Sequence, residues 1–359
     1  MKYLISSSSK PAYLQLYEQL REDIFKGNYV YGARLPSKRL LSEELGISVI
    51  TAEHALSLLC EEGYAQSRER KGYFVIFREG EVFSAPSVAC KPRPHAEKAK
   101  AEYEFPFSVF ARTVRRTLSD YGEELFEKSP NMGCIELRQE LSRYLARSRG
   151  IKVLPEQIII GSGSEYLYGF VMEMLGREKI FAIEKPSYDK IRKVYLAGGA
   201  KIRELDLGKD GIESSELKLT DADVLHITPY RSFPSGVTAT LSKKREYLRW
   251  AEMKGRFLVE DDFESEFTLS RKPEDTLFSM TSGENVIYVN TFSRSVAPSI
   301  RAGYMVLPQS LLPLYETKLG FYSCTVPRLE QMVLASFLSE GDLERHINRV
   351  RRKLRKTEE

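Results

Sequence analysis

Residues 32–76 read GARLPSKRLLSEELGISVITAEHALSLLCEEGYAQSRERKGYFVI, and this stretch decides the architecture of the N-terminal part of the chain. Ser37 stands just before an apolar-periodic segment, where its hydroxyl can accept from amides that the first helical turn leaves open. Leu40, Leu41 and Leu45 supply the apolar face, and Gly46 ends the helix. Ser48 repeats the cap, and a further helix carries Ala52, Leu56 and Leu59 as far as Gly63. Two short helices joined by a tight glycine-containing turn predict a helix-turn-helix. After it, YAQSRERKGYFVI reads as two strands around a basic turn at Arg68, Arg70, Lys71 and Gly72, which is a wing. Upstream, Tyr13, Tyr17, Leu20 and Ile24 recur at helical spacing before Gly27, predicting a helix over about residues 11–26.

Downstream, residues 79–104 are rich in proline, alanine and charge without a sustained period, and read as a linker. From there strands alternate with helical patterns. The short apolar runs are QIII (157–160), KIFAI (179–183), DVLHI (223–227), RFLVE (256–260) and NVIYV (285–289), with helical stretches over 164–176, 187–197 and 241–254. Such alternation predicts βαβ units and a mostly parallel sheet. The segments that follow the runs are polar: GSGS, EKPSY, TPYRSFPSG, DDFESEF and NTFSRS. Because ligands of open α/β sheets gather at the carboxyl ends of strands, the five segments predict one site for a polar, anionic ligand. Each also has a plainer reading. GSGS can be a tight turn, Asp261 and Asp262 can cap a helix, and Tyr188 can be surface packing.

The chain has 359 residues, enough for two or three domains. With 42% hydrophobic and 29% charged residues, disordered, collagen-like and disulfide-scaffold classes are excluded. No apolar run reaches the ~18–20 residues of a membrane span, and the N-terminus does not read as a secretion signal. The four cysteines and four histidines are scattered without metal-ligand spacing, so a cytoplasmic protein with free thiols and no metal site is expected. The net charge of +4 is concentrated near the end of the chain, where the segment 345–356 carries seven basic residues and no acid. A run of this kind can bind nucleic acid, but a solvated helix face is the commoner explanation.

The motifs carry a resemblance. PAYLQLYEQL, GARLPSKRLLSEELGIS and EEGYAQSRERKGYFV resemble the winged helix of GntR-type bacterial regulators over residues 10–76. The resemblance implies double-stranded DNA as a partner, with Ser48, Val49 and Thr51 near base edges and Arg39, Arg70 and Lys71 on phosphates or groove edges. Family members usually carry Arg where this chain has Val49, which offers a thymine methyl only apolar contact. A winged helix serving only protein interaction is the alternative.

Over about residues 105–356, the order GSGS, EKPSY, TPYRSFPSG, EDDFESEF and TFSRSVAPSIRAGYMV resembles the aminotransferase-like domain of type I pyridoxal phosphate (PLP) proteins. In combination with the winged helix, the chain resembles the MocR/GabR-type regulators. The resemblance implies that Ser162, Gly163 and Ser164 cradle the cofactor phosphate at a helix N-terminus, joined by Thr291 and Arg301. It places Tyr188 on the pyridine ring and Asp261 at the ring nitrogen. Three departures bear on chemistry. Arg294 stands where the family's lysine forms a Schiff base, and a guanidinium, protonated at working pH, has no lone pair for an aldehyde. Phe263 replaces a tyrosine, and Arg231 with Ser232 replaces a His-Gln pair. HINRVRRKLRKTEE resembles the helix that leads into a C-terminal lobe, so the domain is expected to be C-terminally truncated.

The expected organisation is therefore a winged helix-turn-helix of α+β class over 1–78, a linker over 79–104, and an α/β aminotransferase-like domain of PLP fold type I over 105–359. The expected function is a DNA-binding transcription regulator, without catalytic residues and homodimeric, that senses a small anionic or amino-acid-like ligand, with PLP bound non-covalently if at all. The alternatives are a truncated, inactive copy of such a regulator and a PLP-dependent aminotransferase.

Overall fold

A computed structural model describes residues 3–6, 10–78, 105–253, 255–268, 275–281 and 284–358. The chain divides into two compact units, Met1–Lys98 and Ala99–Glu359. The expected linker at 79–104 lies outside the described residues.

In the first unit, helices α1 (Ala12–Phe25), α2 (Lys38–Leu45) and α3 (Val49–Glu61) precede strands β1 (Ala65–Arg68) and β2 (Gly72–Val75). Both serine caps form as their local sequence dictates. Ser37 accepts from the Leu40 amide at 3.2 Å and Ser48 from that of Thr51 at 3.0 Å. Gly46, at φ 65°, takes the left-handed conformation that lets the chain turn from α2 into α3. Leu16, Leu20, Ala52, Leu56 and Leu59 are fully buried in the core, closed from the wing side by Ala65 and Val75. Leu40 departs from its expected place. It is 45% exposed, because an eight-residue helix turns one narrow face inward and Leu41 occupies it.

The second unit is built on an eight-stranded sheet in the order β3-β10-β9-β8-β7-β4-β5-β6. Five of its strands, β3 (Ile158–Gly161), β4 (Ile180–Lys185), β7 (Val224–Ile227), β8 (Phe257–Asp261) and β9 (Val286–Thr291), grow from the apolar runs of the sequence. The pairs β4–β5, β4–β7, β7–β8 and β8–β9 are parallel, while β10 (Gly303–Val306) runs antiparallel between β3 and β9. Strands β5 (Lys201–Gly208) and β6 (Gly211–Ile212), an antiparallel pair at the edge, and β10 were not foreseen.

Because side chains alternate across a strand, neighbouring residues enter different cores. Ile159, Val259, Ile287 and Met305 pack with helices α6 (Ser164–Leu175), α7 (Asp189–Ala197) and α12 (Leu312–Leu319). Ile158, Ile160, Tyr288 and Tyr304 face α5 (Ile135–Arg149), α13 (Arg328–Ser339) and α14 (Asp342–Glu358). Leu225, Ile227 and Leu258 pack with α9 (Leu241–Ala251). The basic run of 345–356 lies on α14, which buries Leu343, Ile347 and Val350, and most of its cations occupy the opposite, outer face. No helix among the described residues is long and apolar enough to cross a membrane.

Candidate ligand site and nucleic-acid interface

The carboxyl ends of the parallel strands converge on one cavity of about 530 Å³. Of the residues expected there, Ser164, Tyr188, Asp261, Thr291, Arg294 and Arg301 line it, and Ser162 and Gly163 do not. Gly163 acts from behind the lining. At φ 95° it adopts a conformation that strains other residues, and a Cβ there would stand 3.0 Å from the Arg301 Nη2. The glycine thus lets Arg301 lie against the start of α6. It brings no side chain to cap that helix, so the amides and dipole of the first turn remain available to an anion.

Asp261 ends β8 with its carboxylate nearly buried. It accepts a hydrogen bond from the Tyr168 hydroxyl, and His226 Nε2 lies 3.7 Å away. His226 Nδ1 in turn meets the Tyr195 hydroxyl at 2.7 Å. Burial, and next the charge of Asp261, hold the Tyr168 phenol well above its ordinary pKa, so it remains a donor. Behind the cavity, Arg149 Nε donates to Asp262 at 3.1 Å, Tyr288 donates to the same carboxylate at 2.6 Å, and Asn290 donates to Glu266 at 2.8 Å. This network joins the residues adjacent to Asp261 and Thr291 and so holds the ends of β8 and β9 in place.

Several lining residues were not singled out in the sequence: Glu165, Tyr168, Lys190 and Glu264. Tyr168 follows Ser164 by one helical turn and was therefore legible as a neighbour on one face of α6. Nothing local announces the others. Lys190 pairs with Glu165 at 2.5 Å, and hydrogen bonds to Glu165 and Tyr188 raise its pKa, so its amine is held as a cation. Arg294 pairs with Glu264 at 2.5 Å, and its guanidinium stands 5.8 Å from the centre of the Phe263 ring. Arg231 approaches the second oxygen of Glu264 at 3.9 Å. Next to the lining residue Thr228, burial pushes the Glu184 carboxyl up to about 8, against the hydrogen bonds it accepts from Ser232 and the Thr228 amide.

The winged helix presents a different surface. Arg39, Arg70 and Lys71 are exposed, with Arg70 at φ 57° in the wing turn. Ser48 and Thr51 share a hydrogen bond of 2.7 Å at the start of α3, and Val49 beside them is 39% exposed. Ile50, not singled out from sequence, is 78% exposed. Arg68 stacks on Phe74 at 4.7 Å, stiffening the base of the wing.

These geometries can be set beside known proteins. Residues 12–75 match the bacterial regulatory proteins of the gntR family, and residues 101–358 match aminotransferase class I and II. The chain is 32% identical to the uncharacterized HTH-type transcriptional regulator YdeL of Bacillus subtilis, over 96% of this chain and 77% of that protein. It belongs to the GntR-type transcriptional regulators that carry an aminotransferase class I and II domain. Its relatives within this regulator family include the probable rhizopine catabolism regulatory protein MocR of Rhizobium meliloti, 28% identical over 98% of this chain and 76% of MocR. They also include the pyridoxine biosynthesis transcriptional regulator PdxR of Corynebacterium glutamicum, 26% identical over 94% of this chain and 75% of PdxR. Among solved structures, the regulator is similar to the α-aminoadipate aminotransferase LysN of Thermus thermophilus, crystallised with N-(5′-phosphopyridoxyl)-L-leucine. The TM-score is 0.61 and the identity 26%, over 69% of this chain and 64% of LysN. A kynurenine aminotransferase of Pyrococcus horikoshii, 24% identical at TM-score 0.62 over 69% of this chain and 64% of that one, shows the same fold. The regulator thus spans a little under two thirds of these aminotransferase chains.

Proposed function

We propose that the aminotransferase-like domain of this DNA-binding regulator is a receptor for a small phosphorylated ligand of the pyridoxal phosphate type, held without a covalent bond. The domain's fold family normally binds this cofactor, and the residues present fit part of it. The first turn of α6, with Arg301 and Thr291, suits a phosphate, and Asp261 suits a protonated ring nitrogen, since a nearly buried carboxylate favours a cationic partner. Tyr188 offers a ring face on the cavity wall. Covalent attachment does not fit. When bound to a lysine, the cofactor supplies an electron sink for amino-acid chemistry; Arg294 carries a guanidinium instead, engaged with Glu264. That pairing is the observation that carries the proposal. It separates ligand recognition from turnover and removes the reason to read the chain as an aminotransferase.

On the DNA side, α3 enters the major groove with Ser48, Val49 and Thr51 at base edges, while Arg39 and the wing residues Arg70 and Lys71 meet the backbone. Val49 and Ile50 place apolar surface against thymine methyl groups. The regulator acts in the cytoplasm as a homodimer, and the ligand shifts it between two arrangements with different affinities for DNA.

Equilibrium dialysis of the full chain against PLP tests the ligand reading. Saturable binding that is reversible, leaves no borohydride-trapped adduct, is lost in Arg301→Ala and alters DNA affinity is the expected outcome. Absence of binding would sink it, and an adduct mapped to Lys190 would return the covalent reading.

A further inference from the structure

The cavity's charges fall into two separate poles. At one, Glu165 sits between Lys190 and Arg301, at 2.5 and 3.9 Å. At the other, Glu264 sits between Arg294 and Arg231, also at 2.5 and 3.9 Å. Each pole sets two cations against one carboxylate. The first lies at the start of α6 and belongs to the phosphate reading. The second comes from different loops, those that follow β7, β8 and β9, and has no part in that reading.

We infer that Arg294 and Arg231 form a carboxylate subsite, which Glu264 occupies in place of a ligand. Guanidinium groups are planar donors whose forks match carboxylates, and Glu264 demonstrates the match with one of this chain's own side chains. A second observation is independent of the pairing. Arg231 has φ 49°, a left-handed conformation that costs any residue with a Cβ free energy, and such strain persists where the surroundings enforce it, often at ligand sites. The Thr238 hydroxyl, accepting from the Arg231 amide at 3.1 Å, is part of that enforcement.

The ligand this arrangement suits is anionic at both ends: a phosphate at the α6 pole, a carboxylate at the Arg294 pole, and an aromatic ring beside Asp261. Chemically it is a phosphopyridoxyl group already joined to an amino acid. The regulator takes the finished conjugate, because the residue facing it at position 294 has no amine to exchange. The inference rests on the proposed phosphate-anchored receptor and adds the second subsite to it.

Two stable probes that differ only by a carboxylate separate the two statements: N-(5′-phosphopyridoxyl)-L-alanine and N-(5′-phosphopyridoxyl)ethylamine. With the full chain, calorimetry is expected to find the alanine conjugate at least tenfold tighter, the size of one charge-assisted hydrogen bond. That ratio falls toward one in Arg294→Gln and is reduced in Arg231→Gln, whose half-exposed side chain makes misfolding a poor explanation. In Glu264→Gln the ratio rises, because the competing internal charge is gone. Equal affinities in the unaltered protein, or a ratio that survives both arginine substitutions, would overturn the carboxylate subsite while leaving the receptor reading intact. Failure of both probes to bind would overturn the receptor reading and the subsite with it.

Discussion

The winged helix and the aminotransferase-like domain handle charge in opposite ways. In the winged helix Arg39, Arg70 and Lys71 stand in solvent and form no ion pair among the described residues. The pair that borders α3, Lys38 with Glu53 at 2.6 Å, is itself about 40% exposed. In the larger domain Arg149 is almost completely buried against Asp262 and Glu266, and the cavity cations are bound to Glu165 and Glu264. A polyanion releases counterions when it meets unneutralised surface cations, and it needs no preformed pocket. The cavity cations Lys190 and Arg294 are instead held in place by the carboxylates of Glu165 and Glu264. The deeply buried Arg149 network is therefore the part least open to screening by salt, and the wing cations the part most open to it.

Five substitutions break or sharpen this comparison. The largest change is expected from Arg294→Lys, which restores an amine. A borohydride-trapped phosphopyridoxyl adduct on residue 294, read by mass, should go from absent to stoichiometric, and no adduct would mean that the rest of the cavity does not hold the ligand. Next is Arg149→Ala, which leaves Asp262 and Glu266 buried without their cation. A loss of ~3–5 kcal/mol in the stability of the larger domain is expected in denaturant melts. A cost below ~1 kcal/mol would place this network among weak surface pairs. Arg39→Ala and Arg70→Ala are each expected to weaken binding to a random-sequence duplex several-fold and to lower the salt slope by about 0.9. Unchanged slopes in both would remove these residues from the interface.

The smallest effect concerns pH. The Glu184 carboxyl titrates near 8 in the fold, above the range of an unfolded glutamate, so the folded state binds its proton more tightly. Its contribution to stability is complete below the unfolded pKa and is lost as pH rises through about 8. Glu184→Gln should therefore make the melting temperature less sensitive to pH between about 5 and 8, by a few degrees. Identical pH profiles for the two proteins would show that this carboxyl does not titrate in that window.

Much of this was legible wherever the cause was local. Ser37 and Ser48 cap helices because the amides they satisfy lie within three residues, and the five apolar runs become strands because they are short, branched and bounded by polar turns. The order of the polar segments was enough to expect one cavity, which six of the eight residues expected for the ligand line. Strand β5 escaped notice because its sequence, KIRELDLG, is largely polar and exposed along a flank of the sheet. Strand β10 escaped because its partners, β3 and β9, lie elsewhere in the chain and only the assembled sheet gives GYMV a reason to extend.

Sequence alone was sufficient for the two-part plan, the caps, the strand-end loops and the presence of a guanidinium at position 294, since each rests on residue chemistry and on neighbours a few positions away. Only folding in three dimensions could say what that guanidinium faces. Glu264 lies thirty positions before Arg294 and Lys190 twenty-five after Glu165, and no periodicity links partners so far apart. Their pairing depends on which strand ends are brought side by side, and that is set by the packing of the whole sheet between its helices.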